Sequence, residues 1–174
     1  TATKNFTVDD NTNPVINGCP ADIIVGNDIG DCSAVVTWIA PTASDNCGLG
    51  SFISSHNPGD IFPVGITTVT YTATDDCGNI ATCTFDVTVN DTELPSITCP
   101  ADIIVNNGAG LCGEVVTFVS PIGTDNCPGA TTVQTAGLVS GALYPVGTTT
   151  NIFQVTDASG NTNTCSFDVT VVDA

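Results

Sequence analysis

The sequence predicts an all-β chain made of two tandem β-sandwich domains stapled by disulfides, and three observations predict it. The block Cys19-Pro20-Ala21-Asp22-Ile23-Ile24-Val25 recurs unchanged, 80 positions later, as Cys99-Pro100-Ala101-Asp102-Ile103-Ile104-Val105. Both copies consist of short alternating runs of Val, Ile, Thr and Phe, broken by Gly, Asn, Asp and Pro, which is the pattern of half-buried strands joined by turns. Nine cysteines without a single methionine in 174 residues fit an oxidising compartment in which disulfides persist.

The repeat sets the domain boundaries, at 16–91 and 92–174, with an opening segment at 1–15. Cys32 and Cys47 recur 80 residues later as Cys112 and Cys127, whereas Pro63-Val64-Gly65 maps to Pro145-Val146-Gly147, and Cys83 to Cys165, at an offset of 82. Two extra residues therefore lie between Cys127 and Tyr144, in a loop. In the first copy the alternation predicts strands at 21–25, 33–39, 50–55, 66–74 and 81–89, and in the second at 101–105, 114–119, 131–136, 148–156 and 163–171. Along the last strand Cys83, Phe85, Val87 and Val89 face a dry side while Thr82, Thr84, Asp86 and Thr88 face water. Such spacing over roughly 80 residues fits a small immunoglobulin-like or fibronectin-like sandwich.

The opening segment breaks the simple count of two. Residues 1–10 look like the last strand and linker of a repeat, Phe85 to Asp91, without the cysteine. They read either as the tail of a preceding repeat or as a strand donated to another subunit's sheet through Phe6 and Val8. A frayed terminus is the plainer alternative.

Composition excludes several function classes. Against 18 Asp and Glu the chain has one basic residue, Lys4, and a net charge of −17, so nothing in it can grip a phosphate backbone or an anionic membrane. An acidic excess attracts cations instead. The sequence has no apolar run long enough to span a bilayer and no signal-peptide pattern. Structural zinc is disfavoured because no CxxC or HxxxH pair exists and His56 is the only histidine.

The motifs Cys-Pro-Ala-Asp, Asp-Asn-Cys, Pro-Val-Gly-x-Thr-Thr, Thr-Asp-x-x-Gly-Asn and Cys-x-Phe-Asp-Val-Thr-Val occur in that order, and in this combination the chain resembles the hyalin repeat (HYR) family over about 16–91 and 96–173. The resemblance implies an Ig-like fold in extracellular, often adhesive or matrix-forming proteins, commonly as tandem arrays, with no catalytic residues. The copies differ at Cys77, where the second has Ala158.

With an Ig-like strand order, each cysteine is assigned to one end of its sandwich. Cys19 opens the first strand and Cys83 the last, which should run parallel beside it, so Cys19–Cys83 is the expected bridge and Cys99–Cys165 its copy. Cys32 and Cys47 flank a strand whose seven residues span about 23 Å, too far for a disulfide with its limit of about 7 Å between Cα atoms. Unless the loop folds back, an array in which the bottom of one domain meets the top of the next brings Cys32 near Cys127, and an inter-domain Cys32–Cys127 bridge is the expectation, with Cys112 and Cys47 left at free ends as halves of an intermolecular bond. Cys77 competes for Cys47, and because nine is odd at least one thiol is free or shared.

Acidic residues gather in loops and linkers, and calcium, which takes oxygen ligands, is expected at Asp91 and Glu93 with Asp45 or Asp125, and at Asp10. The competing role for these residues is turn capping. An enzyme finds little support: His56 has no counterpart in the second copy, and the adjacent carboxylates Asp9-Asp10 and Asp75-Asp76 are turn residues rather than facing cleft walls. Asn5-Phe6-Thr7 and Asn90-Asp91-Thr92 match the N-glycosylation triplet, and the many threonines allow O-linked sugar. The sequence thus reads as an extracellular structural subunit that self-associates into a rod or filament, the alternative being an adhesin or spacer module of a larger surface protein.

Overall fold

The computed structural model describes residues 9–174, so Phe6 and Val8 lie outside the described residues. The chain divides into two compact units: unit 1 takes the described residues up to Asp28 together with Cys32–Asn90, and unit 2 takes Ile29–Asp31 and Asp91–Ala174. All the regular structure among the described residues is β.

Unit 1 contains β1 (Val15–Asn17), β2 (Ile23–Gly26), β3 (Ser33–Val35), β4 (Thr42–Ser44), β5 (Leu49–Ser54), β6 (Ile61–Pro63), β7 (Gly65–Asp75) and β8 (Ile80–Asn90). The long hairpin β7–β8 is its frame. Thr, Val, Tyr and Ala alternate along β7, and Val69, Tyr71 and Ala73 are buried while the intervening threonines are not. On β8 Cys83, Phe85, Val87 and Val89 are buried, as the alternation predicts. The main sheet has the order β2-β8-β7-β5, with β2 parallel to β8 and Ile23 opposite Val87. Two short antiparallel pairs, β1–β4 and β3–β6, complete the unit.

Unit 2 repeats the plan with β9 (Ile103–Asn106), β10 (Gly113–Val115), β11 (Thr131–Ala136), β12 (Leu143–Pro145), β13 (Gly147–Thr156) and β14 (Thr162–Val172). Its main sheet runs β11-β13-β14-β9, again with the outer strand parallel, and β10–β12 forms the short pair. A single bridge between Ser96 and Thr124 stands where unit 1 has β1–β4.

Each core is aromatic at its centre. Trp38 packs edge-on against Phe62 and Phe85, with ring centroids 5.9 and 5.3 Å away, and its Nε1–H donates to the Tyr71 hydroxyl at 2.9 Å. At the equivalent places unit 2 has Phe118 and Phe153, which need no such bond. The reverse exchange occurs at Phe62 and Val69, replaced by Tyr144 and Asn151, both with no exposed surface. Asn151 Oδ1 accepts the Leu138 N–H at 3.0 Å and Gln134 Nε2–H at 3.1 Å, and the Tyr144 hydroxyl donates to the Leu138 carbonyl. These groups serve the longer loop after β11. Gln134 and Gly141 hold the places of Ser54 and Gly59, which puts the two extra residues between them. The added backbone polar groups are met by side chains that the shorter loop does not require.

Two expectations about strand extent need revision. The strand expected over 33–39 ends at Val35: Val36 leaves the ladder, donating to Asp60 O at 3.2 Å and accepting from Gly59 N–H at 2.8 Å, although Val36 stays buried. The strands β1, β4, β6 and β12 were not expected, because three-residue strands show too little alternation to detect and β6 and β12 each end in proline.

Candidate functional site

The functional candidates gather where the β7–β8 turn, and its equivalent between β13 and β14, meets neighbouring loops. In Thr74-Asp75-Asp76-Cys77-Gly78-Asn79 the Asp75 carboxylate closes the turn, Oδ1 accepting the N–H groups of Cys77 (2.9 Å) and Asn79 (2.8 Å) and Oδ2 the Asn79 amide (2.7 Å). Asn79 Nδ2 also donates to the Asp10 carbonyl at 3.0 Å, which fastens the segment before β1. Unit 2 repeats this arrangement: Asp157 accepts from Ser159 and Asn161, and Asn161 Nδ2 donates to the Asp91 carbonyl at 3.2 Å. Burial pushes both carboxyls up, but hydrogen bonds from Asn79 or Asn161, then from the turn backbone, outweigh it and hold Asp75 and Asp157 below the usual range.

Against each clamp lies an Asp-Asn-Cys loop. Asp45 Oδ1 accepts the Cys47 N–H at 2.9 Å, and Asp125 Oδ2 accepts the Cys127 N–H at 2.9 Å. One carboxylate oxygen from each of Asp10, Asp45 and Asp75 lies within 4.8 Å of the other two. In unit 2 the group is Asp91, Asp125 and the Cys127 sulfur, at the same limit. Backbone N–H of Thr12, and then the Cys47 thiol, hold the Asp10 carboxyl below its ordinary value.

Neither group includes Glu93, whose Oε1 accepts the Gly30 N–H at 2.7 Å. Asp45 groups with Asp10 and Asp75 within unit 1. Asp75 and its clamp partner Asn79 did not figure among the expected ligands, although the recurrence of Thr-Asp-x-x-Gly-Asn in both copies was a signal for them.

Disulfides join Cys19 to Cys83 and Cys99 to Cys165, and Cys32 and Cys127 are also disulfide-bonded. Cys47, Cys77 and Cys112 are exposed thiols. Cys32 follows β2, whose last residue Gly26 is opposite Asn90 at the end of β8, whereas Cys47 precedes β5, whose Leu49 is opposite Asp75 beside the turn. The two cysteines therefore occupy opposite ends of unit 1. Cys112 and Cys127 stand at the equivalent places in unit 2, where Val146 N–H donates to the Cys112 carbonyl as Val64 N–H does to that of Cys32. A hydrogen bond to Asp10, then burial, then the nearby carboxylates and Cys77 push the Cys47 thiol up.

His56, the sole imidazole, packs at a tilt against Phe62 with ring centroids 5.1 Å apart, meets the Ser55 hydroxyl and belongs to neither acidic group. No helix of the described residues is long and apolar enough to cross a membrane.

The HYR domain family model matches twice, at 9–89 and 90–171. The chain is 40 % identical over 169 residues to hyalin of Strongylocentrotus purpuratus, covering 93 % of this chain and 14 % of that protein. It is 37 % identical over 161 residues to the sushi, von Willebrand factor type A, EGF and pentraxin domain-containing protein 1 of Rattus norvegicus, covering 88 % and 4 %. Identity to the serine-rich adhesin for platelets of Staphylococcus aureus is 30 % over 174 residues, covering 83 % and 7 %. The chain thus spans only a small part of the relatives it matches. With its repeats, its bridges and these relatives, the chain belongs to the HYR domain family, as two tandem copies of an extracellular or cell-surface, non-enzymatic module.

Proposed function

We propose that this module is a structural link, a segment of a surface rod or filament joined end to end by disulfides. The observation that carries the reading is the state of four cysteines sharing two repeat positions. Cys32 and Cys127 are bonded, whereas Cys112 and Cys47, at the same positions of the other repeat, are exposed thiols. We read Cys32–Cys127 as the bridge within a chain, and the same rule applied between chains joins Cys112 to Cys47. Strand donation by Phe6 and Val8 is a second link read from the sequence.

Oxidised protein on a non-reducing gel tests the covalent link. The expected result is a ladder that collapses with reductant and is lost in both Cys47→Ser and Cys112→Ser. Cys77→Ser, which removes the competitor for Cys47, lengthens the ladder. A monomer unchanged by reductant overturns the link. The reading as a spacer or adhesin module then stands in its place, supported by the small share of the relatives that the chain covers.

A further inference from the structure

The described residues contain neither Lys nor Arg, because the chain's only basic residue of either kind is Lys4. Among the described residues, then, no Lys or Arg is present to pair with a buried carboxylate, and a proton or a cation from solution is what remains there to neutralise one. Unit 2 brings together a buried carboxylate, Asp91, and a half-buried one, Asp125. Asp91 is 7 % exposed; its Oδ1 accepts the Glu93 N–H at 3.2 Å, while Oδ2 is sealed from solvent and accepts nothing. Asp125 spends Oδ2 on the Cys127 N–H, and its Oδ1 is likewise sealed and unpartnered. An oxygen of one lies within 4.8 Å of an oxygen of the other. Sealing an unpaired oxygen on each of two neighbouring carboxylates is costly, through lost hydration and mutual repulsion.

We infer that Asp91 and Asp125 form a divalent-cation site of the calcium class in unit 2, and that Asp10, Asp45 and Asp75 form its repeat equivalent in unit 1. Oxygens bound to one calcium at 2.3–2.6 Å can be no more than about 5 Å apart, which the measured spacing satisfies. The neighbouring Cys127 sulfur is committed to a disulfide, which leaves an all-oxygen set suited to a hard ion. Unit 1 supports the assignment independently. Its opening sequence, Asp10-Asn11-Thr12, differs from Asp91-Thr92-Glu93, yet Asp45 Oδ2 is again sealed and unpartnered within a group of three carboxylates. Backbone carbonyls and water supply the remaining ligands. The ion ties the segment that opens each repeat to its Asp-Asn-Cys loop.

Calorimetric titration of the chelator-treated, oxidised chain with calcium chloride tests this, together with thermal unfolding in calcium and in chelator. One ion per repeat is expected, and at a free calcium concentration 100 times the Kd each site lowers the unfolding constant about 100-fold. Asp91→Asn and Asp125→Asn each abolish the unit 2 site and retain that of unit 1, whereas Asp173→Asn, which removes the same charge elsewhere, changes neither. In chelator the Asp125→Asn chain is at least as stable as the parent, because the repulsion is relieved, and only in calcium does the parent overtake it. Retention of the unit 1 site and of the far-ultraviolet spectrum shows that the variants fold. No saturable calcium binding, or binding unchanged in Asp91→Asn and Asp125→Asn, overturns the inference and leaves a proton shared between the two carboxylates in its place.

Discussion

The Asp75–Asn79 clamp and its copy Asp157–Asn161 show how much a single carboxylate fixes. Each closes a turn, engages both carboxylate oxygens and, through its Asn, holds the carbonyl of the residue that opens the repeat, Asp10 or Asp91. In the folded chain both carboxyls titrate below the ordinary value of 3.8. The stability they contribute is therefore fully present above that value and is lost as pH falls from there through the lower folded pKa. Urea unfolding in chelator, stepped through this acid range, should show a fall in stability that is shallower in Asp157→Asn than in the parent. Sequence alone exposed these residues only as a recurring motif. It could not tell which carboxylate oxygens had partners, because that depends on which backbone N–H groups the turn aims at them. Glu93 illustrates the point: near Asp91 in sequence, it reads as a ligand, and the structure shows one of its oxygens, Oε1, accepting the Gly30 N–H.

At the level of elements, the long strands were legible and the short ones were not. β7, β8, β13 and β14 carry ten or eleven residues of alternation each, enough for the two-residue period to declare the buried face. The polar exchange between the copies was hidden, since it depends on pairing across strands. Trp38 and Tyr71 are hydrogen-bonded in unit 1 and both are Phe in unit 2; Tyr144 and Asn151 are polar in unit 2 and apolar in unit 1. In each exchange both members change together, and in unit 2 the Asn151 oxygen is well used while its Nδ2 stays buried without a partner. Asn151→Val removes the acceptor of the Leu138 N–H and of Gln134, and should destabilise unit 2 by about 1–3 kcal/mol. Val69→Asn, which buries an amide where unit 1 has no longer loop to serve, should cost a similar amount. Trp38, the only tryptophan, lies in unit 1, so chemical denaturation followed by its fluorescence registers the second variant, and circular dichroism registers both.

Across the whole molecule, the two repeats were readable from one duplicated heptapeptide, and the alternating strands gave the sandwich class. Cysteine positions along the strands also constrained the ends at which bridges form, because strand rise is fixed while loop paths are not. The thiol states were not readable. Cys47 and Cys127 share a motif, as do Cys32 and Cys112, yet one member of each pair is bonded and the other exposed. That asymmetry underlies the proposal of a chain whose ends are left ready for a neighbour. Peptide mapping of the oxidised protein by mass spectrometry, with thiols blocked and disulfides intact, tests it most directly. The account predicts a cross-linked peptide pair containing Cys47 and Cys112, together with one containing Cys32 and Cys127. A Cys47–Cys77 pair with Cys112 recovered as a blocked thiol would contradict it.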